Sequence, residues 1–172
     1  MNGITVTSTG TTSITGNTTS GHRYIPDSTQ SCGILTFNTV TISGNTSTLD
    51  ETAICLIGGN GSSVTGNIIN QHTQQGILVD GALNVLVDNN DIDGMGGGTT
   101  ASPGVDPDTD VRYYGIFVVG STGDISNNDI QGITHGPSNG LQSGVGIRVS
   151  ARPGETSDVD ITGNTIGTYQ KN

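Results

Sequence analysis

An aliphatic residue followed three positions later by an asparagine recurs six times along the chain, and this repeat constrains the fold more than any other feature. The repeated asparagines lie 22 to 38 residues apart and are Asn17, Asn45, Asn67, Asn90, Asn128 and Asn164. Intervals of this length are typical of solenoids, in which each repeat forms one turn and insertions lengthen some of the turns. The sequence therefore predicts a stack of similar coils.

A second repeated segment precedes each asparagine motif and locates another strand of the coil. Its clearest copies have the pattern Gly-Ile-x-Val and occupy residues 76–79, 115–118 and 146–149. Alternation of residue type in these runs predicts short β-strands, with the Ile and the residue two positions later pointing inward. Inward residues of successive coils then stack about 4.8 Å apart. Such columns can be filled by β-branched residues, which fits an aromatic content of only 3%.

Each repeated asparagine is expected at a corner between two strands. Its side-chain amide can bond to backbone groups of the turn and to the asparagine of the next coil. The residue before it is always Gly or Asn, and both tolerate a left-handed backbone. The six residues are therefore predicted to form a structural ladder.

The segments ITGN, ISGN, VTGN, VDNN, ISNN and ITGN resemble those of the pectin-lyase-like superfamily. The resemblance covers nearly the whole chain and implies an all-β, right-handed, single-stranded parallel β-helix of about six coils with an internal Asn ladder. The superfamily includes polysaccharide lyases, glycoside hydrolases, uronate epimerases, phage tailspikes and surface adhesins. The resemblance thus implies a scaffold and a polysaccharide partner, without choosing among these activities.

Composition restricts the partners and the location. The net charge is −10 with only five Lys and Arg residues, which opposes binding to nucleic acid. No apolar stretch approaches the roughly 18 residues of a membrane span, so we expect no membrane insertion. We expect one domain over residues 1–172, a segment of a larger protein. Low cysteine content with many Thr, Asn and Gly residues favours an extracellular, cell-surface or virion location.

The two cysteines, Cys32 and Cys55, occupy different positions of the repeat. A bond between them would require a lateral shift of one strand against the next. We therefore expect them not to form a disulfide.

Three insertions, residues 20–31, 93–114 and 131–144, are predicted to leave the coil after its third short strand. Because successive coils are in register, these loops should emerge along one edge of the solenoid. Loops on rigid scaffolds often carry function. We predict that they form one wall of a groove.

Two carboxylates are the candidate catalytic pair. Asp91 and Asp129 directly follow ladder asparagines of successive coils and should stack at about 4.8 Å. Retaining glycosidases use carboxyl pairs about 5–5.5 Å apart, so this spacing permits such chemistry. His135 and Arg148 are the candidate catalytic partners. The alternative is that Asp is simply a common turn residue beside the ladder.

The long insertion supplies further candidates. Tyr113 and Tyr114 are candidate substrate-binding residues. Asp106, Asp108 and Asp110 alternate like the start of a calcium loop, but the later glycine and terminal glutamate of an EF-hand are missing. Calcium is therefore one interpretation of this run, and a solvated acidic loop is the other.

The outward positions of the first strand are mostly apolar, whereas those of the second strand are polar. The predicted apolar stripe consists of Leu35, Phe37, Ile57, Leu78, Phe117 and Val119. Monomers seldom expose a contiguous patch of this kind. We expect it to be covered by the chain's own loops, by a flanking domain, or by identical subunits of a homotrimer.

Three functions remain open on the sequence. The first is a non-catalytic extracellular or virion-surface segment that binds or presents loops to polysaccharide. The second is a lyase, hydrolase or epimerase acting on an acidic polysaccharide through Asp91 and Asp129. The third is a purely structural scaffold.

Overall fold

The computed structural model describes residues 2–22, 31–95, 113–133 and 144–167. These residues form 18 short strands and, within the described ranges, no helix. In chain order the strands are β1 (Ile4–Val6), β2 (Thr12–Thr15), β3 (Thr18–Ser20), β4 (Cys32–Thr36), β5 (Val40–Ser43), β6 (Thr46–Thr48), β7 (Thr52–Ile57), β8 (Ser63–Thr65), β9 (Ile68–His72), β10 (Gln75–Asp80), β11 (Val85–Asp88), β12 (Asp91–Met95), β13 (Tyr113–Val119), β14 (Thr122–Ser126), β15 (Asp129–Gln131), β16 (Gly144–Ser150), β17 (Asp158–Thr162) and β18 (Thr165–Ile166).

Every three consecutive strands make one coil, so the described chain contains six coils. The first strands of the coils form sheet A, the second strands sheet B and the third strands sheet C, each with six strands in coil order. Pairing between neighbouring coils is parallel in all three sheets. The predicted solenoid of about six coils is confirmed.

The core consists of aliphatic columns that run through successive coils. In sheet A one column holds Ile34, Ile54, Ile77 and Ile116, which are register partners and fully buried. Sheets B and C contribute equivalent columns of Ile and Val. Stacking at about the strand spacing places each methyl group against the same group of the next coil, so a dense interior forms without large side chains.

The asparagine ladder is present over all six coils. The Nδ2 of each of the first five asparagines donates to the Oδ1 of the asparagine in the following coil at 2.9–3.0 Å. The backbone N–H of each of the first five donates to the same oxygen. The residue before each asparagine has a positive φ of 52–67°, including the non-glycine Asn89 and Asn127. The predicted corner and ladder are confirmed.

The first two coils replace part of the apolar core with a polar cluster around Asp50. This carboxylate is fully buried and accepts hydrogen bonds from the hydroxyls of Thr19 (2.7 Å) and Ser47 (2.6 Å). It also accepts from the backbone N–H and Nδ1 of His22, both at 2.8 Å. These four donors offset the cost of burying the carboxylate. The column that holds Ile69 in coil 3 can therefore continue with the polar residues Ser47 and Thr19 in coils 2 and 1.

The expectation that Cys32 and Cys55 are unpaired is wrong, because they form a disulfide with Cα atoms 6.0 Å apart. The cause is a kink in sheet A. Cys32 and Ile34 have register partners in the next coil, whereas Gly33 between them has none. A Cβ on Gly33 would point at the buried Asp50 and Thr19, and Ile34 also lies in the core, so two consecutive residues face inward.

This kink supplies the lateral shift that the disulfide requires. In a regular strand, residues three apart lie on opposite faces. Here Gly33 and Ile34 both face inward, so Cys32 and Leu35, which are three positions apart, both lie on the outer face. The same geometry recurs in coil 5, where the rings of Tyr114 and Phe117 stack with centroids 4.6 Å apart. The kink therefore belongs to the repeat of sheet A.

Candidate functional site

The predicted carboxylate pair lies on the outer face of sheet C. Asp91 and Asp129 are direct register partners of neighbouring coils, because each opens the strand that follows a ladder asparagine. Asp91 is exposed and Asp129 is partly buried. The Nε2 of Gln131 donates to both carboxylate oxygens of Asp129, at 2.9 and 3.1 Å. The structure thus brings these two acids together and gives one of them an amide partner.

Arg148 lies on sheet A, on a different face from the carboxylate pair. It is the register partner of Phe117, and its Nη1 donates to the hydroxyl of Tyr114 at 2.7 Å. The guanidinium carbon lies 5.4 Å from the ring centre of Tyr114 and 5.6 Å from that of Phe117, distances typical of cation–π contacts. In the described part of the chain no carboxylate forms an ion pair with Arg148. The structure therefore joins Arg148 to Tyr114 and separates it from Asp91 and Asp129.

Several predicted site residues lie outside the described residues, namely His135, Asp106, Asp108 and Asp110. The calcium site and the role of His135 stay predictions. Tyr113 begins β13, but its side chain is not among the described ones. Over residues 2–22, 31–95, 113–133 and 144–167, no group of three or more His, Cys, Asp or Glu side chains is placed to hold a metal ion. The same ranges contain no helix that could cross a membrane.

The apolar stripe on sheet A is largely buried within the single chain. The disulfide and Leu78 form a cluster against which Leu35, Ile57 and Phe117 pack. Leu78 and Val119 are each only 6% exposed. Phe37 is the exception in the stripe, since it is 48% exposed.

Phe37 lines a groove of about 540 Å³ along the turns between sheets A and B. The groove walls come from the turns of four successive coils, and its residues are Thr9, Gly10, Thr11, Phe37, Asn38, Thr39, Gly58, Gly59, Asn60 and Gly81. Four coils at about 4.8 Å spacing give the groove a length of about 14 Å along the solenoid axis. It is therefore an elongated site parallel to the axis.

Hydrogen bonds between the turns hold the groove in shape. The hydroxyl of Thr39 donates to the carbonyl of Asn60 at 2.9 Å, and the Oδ1 of Asn60 accepts from the backbone N–H of Leu83 at 2.9 Å. Gly59 has a φ of 75°, and a Cβ there would contact the carbonyl oxygen of Asn38. A glycine at this position lets the turns of coils 2 and 3 approach closely.

The groove offers polar groups that the fold does not use. Among the described residues, no partner is found for the side-chain amide of Asn38 or for the Nδ2 of Asn60. Each primary amide can donate two hydrogen bonds and accept through its oxygen. All ten lining residues are uncharged. An exposed phenyl ring beside free amides and hydroxyls matches a ligand that carries both C–H faces and hydroxyl groups.

The sequence alone pointed to Phe37 only as a member of the apolar stripe, and it gave no role to Asn38 or Asn60. These residues lie in turns that differ in every coil, so the repeat does not mark them. The available sequence signal was the run Gly58-Gly59-Asn60-Gly61, whose glycines all have positive φ and allow close turn packing.

Comparison with known proteins gives one positive result. The chain matches the family described as right handed beta helix region over residues 2–166. No curated protein and no solved structure matches it. The three parallel sheets, the six coils and the ladder agree with this match, and the chain belongs to the right-handed beta-helix family.

Proposed function

We propose that this β-helix is a non-catalytic polysaccharide-binding segment and that a neutral glycan lies along the groove between sheets A and B. The observation that carries the proposal is the exposed ring of Phe37 within an uncharged, amide-lined groove. The coil spacing of about 4.8 Å is close to the length of one sugar unit in an extended glycan. Successive turns are therefore spaced so that each can contact one sugar of the glycan.

The chemistry of the lining favours a sugar over other ligands. The face of an aromatic ring carries partial negative charge, which attracts the weakly positive C–H groups of a pyranose face. The amides of Asn38 and Asn60 supply donors and acceptors for sugar hydroxyls. A net charge of −10 disfavours an acidic polymer at this uncharged site, because no Lys or Arg lines it.

The disulfide supports the extracellular or virion-surface part of the proposal. Disulfides persist in oxidising compartments and are rare in the cytosol. Cys32 and Cys55 are both buried, so the bond is a structural one.

The test is calorimetric titration with neutral oligosaccharides of increasing length, compared with an acidic one of the same length. We expect affinity to rise with length until the groove is filled. Phe37→Ala should weaken binding about 2- to 12-fold, because an aromatic contact contributes about 0.5–1.5 kcal/mol. The control is Ile68→Ala, which removes an apolar residue of similar exposure (45%) from sheet C. Equal affinity of the Phe37→Ala variant and the unmodified chain would refute the assignment of the groove.

An enzyme acting on an acidic polysaccharide is the second proposal, and the adjacency of Asp91 and Asp129 favours it. Its predicted partner Arg148 lies on another sheet, so the pair would act without that residue. Incubation with uronate-containing polysaccharides should then release unsaturated or reducing ends. Asp129→Asn should abolish this release, and unchanged turnover would remove the pair from consideration.

The apolar stripe stays a proposed assembly surface for a flanking domain or a homotrimer. The burial of Leu78 and Val119 leaves little of it for such contacts. A chain that binds no glycan and turns over no polysaccharide would support the third function, a structural scaffold.

A further inference from the structure

The groove between sheets A and B meets an obstacle beyond coil 4. Its lining comes from the turns of coils 1, 2 and 3, and Gly81 of coil 4 is the lining residue farthest along the solenoid. The next turn, in coil 5, consists of Gly120 and Ser121. The turn after that, residues 151–157 of coil 6, is the longest of the six turns that join sheet A to sheet B.

The turn of coil 6 folds back over the turn of coil 5. A Cβ added to Gly120 would meet the carboxylate of Glu155, so the glycine leaves the space that this side chain occupies. The backbone N–H of Ser121 donates to the hydroxyl of Ser157 at 3.3 Å, and Ser121 is buried. The line of the groove is therefore covered at coil 5.

Arg152 extends from the same turn back to coil 4. Its Nη1 and Nη2 donate to the two carboxylate oxygens of Asp80, at 2.7 and 2.6 Å. Two parallel bonds of this kind fix the position of a guanidinium better than one. Asp80 directly precedes Gly81, so the ion pair lies at the end of the groove.

The ion pair has unused capacity for hydrogen bonds. The side chain of Arg152 is 52% exposed and that of Asp80 is 20% exposed. A guanidinium has five N–H donors. Asp80 and Glu155 engage three of those on Arg152, and the other two have no partner among the described residues. Because two carboxylates face this one guanidinium, the end of the groove has no excess positive charge and suits a neutral ligand.

The ion pair and the ring of Phe37 belong to one column on the outer face of sheet A. Asp80 is the register partner of Ile57 in coil 3. Continuing the register between β4 and β7 by one residue places Phe37 beside Ile57. Two coil spacings, about 10 Å, therefore separate Asp80 from Phe37. This distance corresponds to two sugar units, so a sugar on the Phe37 ring is the third from a sugar at the ion pair.

We propose that the groove binds the end of a neutral glycan chain, with the terminal sugar against the Asp80–Arg152 ion pair and the third sugar on Phe37. A terminal sugar has a free hydroxyl where a further unit would be attached, and this hydroxyl meets the ion pair. An internal sugar at the same place would direct the next unit into the turn of coil 6. The inference rests on the proposed function and adds which part of the polysaccharide is bound.

The first test counts the copies of the protein that bind to one glycan chain. The probes are homogeneous, unbranched β-1,4-linked gluco-, manno- and xylo-oligosaccharides, together with soluble mannan fractions long enough to span several grooves. Calorimetric titration gives the stoichiometry. We expect one copy per chain at every length, because each chain has one end of the kind that is bound.

The possible failures are distinguishable. A number of bound copies that rises with chain length would overturn the binding of chain ends and leave the glycan groove intact. Absence of binding to all of these probes would overturn the inference together with the proposed function.

Variants of the ion pair test its contact with the glycan. Arg152→Ala and Asp80→Ala should each weaken the binding of short chains about tenfold, because each removes a charged hydrogen-bonding group. The control is Asp88→Ala. Asp88 is a carboxylate of the same coil that also accepts two side-chain hydrogen bonds, from Ser126 and Asn127, but on sheet B. Circular dichroism establishes that each variant keeps its β-structure. Unchanged affinity in both ion-pair variants, or an equal loss in the control, would show that the ion pair does not contact the glycan.

The position of Phe37 gives a second, independent readout. Phe37→Ala should weaken the binding of trisaccharides and longer chains and leave disaccharide binding unchanged, whereas Arg152→Ala should weaken the binding of both. Ligand-observed NMR measures the weak disaccharide binding. A loss of disaccharide affinity in Phe37→Ala equal to that for the trisaccharide would overturn the placement of the terminal sugar at the ion pair.

Discussion

The asparagine ladder gives the most quantitative prediction of the structure, because its middle and its end differ in hydrogen bonding. Asn67 is buried, and its side chain takes part in five hydrogen bonds. Its Oδ1 accepts from the backbone N–H and Nδ2 of Asn45, and its Nδ2 donates to Ile42, Thr65 and Asn90. Asn17 makes only two side-chain bonds as a donor and is partly exposed.

Substitution Asn67→Leu keeps the side-chain volume similar and removes all five bonds. It leaves the backbone N–H of Asn45 buried without an acceptor. At about 1–3 kcal/mol for an unsatisfied buried group and about 0.5–1.5 kcal/mol for each of the four further bonds, the expected loss is about 3–9 kcal/mol. For a chain of this size even the lower end of that range corresponds to a fall in Tm of about 10 °C. Asn17→Leu should cost about 1 kcal/mol or less, since water replaces its lost partners.

The assay is urea denaturation followed by circular dichroism, with the two variants and the unmodified chain measured together. The difference between the two positions is the decisive quantity. Equal losses for Asn17→Leu and Asn67→Leu, or a loss below about 1 kcal/mol at Asn67, would refute the view that the buried ladder bonds stabilise the coil.

Three further predictions follow from other parts of the fold. Burial lowers the pKa of His72 to about 4, against a smaller opposing effect of its hydrogen bond to the Tyr114 carbonyl. The folded-state pKa lies below the ordinary value of 6.5, so between pH 6.5 and 4 His72 is protonated in the unfolded chain but not in the folded one. Protonation therefore favours unfolding, and about 3 kcal/mol of stability that is present above pH 6.5 is lost as the pH falls to 4. Thermal melts at several pH values should show this loss, and it should shrink in His72→Gln; an unchanged pH profile would contradict it. Replacing both Cys32 and Cys55 with Ser should lower the free energy of unfolding by about 3 kcal/mol, because the disulfide restricts the loop that it closes in the unfolded chain. Urea denaturation measures this loss, and an unchanged midpoint would show that the bond does not constrain the unfolded chain. Gly59→Ala should destabilise the chain by about 1 kcal/mol or more, because its φ is positive, and it should also weaken glycan binding. Gly61→Ala, which has a similar φ but open space around it, should lower stability and leave glycan binding unchanged. Equal glycan affinity in the two variants would show that Gly59 does not shape the groove.

The fold could be predicted because its determinants repeat. Asn45, Asn67 and Asn90 occupy identical environments in successive coils, so the same residue is required each time and the pattern is visible in the sequence. The residue before each of these asparagines must have a positive φ in every coil, so Gly or Asn recurs there for the same reason. The adjacency of Asp91 and Asp129 was also predictable, since register with the ladder determines it.

The disulfide was not predictable from alternation alone. The inward pair at Gly33 and Ile34 departs from the two-residue period of a strand, and only the backbone shows that this departure brings Cys32 toward Cys55. The separation of Arg148 from the acidic pair has a different cause. Arg148 belongs to the repeated segment at residues 146–149, so the repeat already placed it on the first strand of the coil. Its distance from Asp91 and Asp129, which begin third strands, follows only from the arrangement of the three sheets.

The groove was missed for a different reason. Its shape comes from turns of unequal length and from a bond between Thr39 and Asn60 of neighbouring coils, neither of which repeats. Residues that recognise a ligand need not recur from coil to coil, whereas residues that maintain the stack must.

Pairing only between consecutive coils has a consequence for how such a protein can change. Removal or duplication of one complete winding would leave all other windings with the neighbours they require, provided the cut falls at the same corner in each. The proposed glycan groove would lengthen or shorten by one coil spacing, while the side chains of the remaining coils would be preserved. Evolution can therefore adjust the reach of this molecule in units of a single turn.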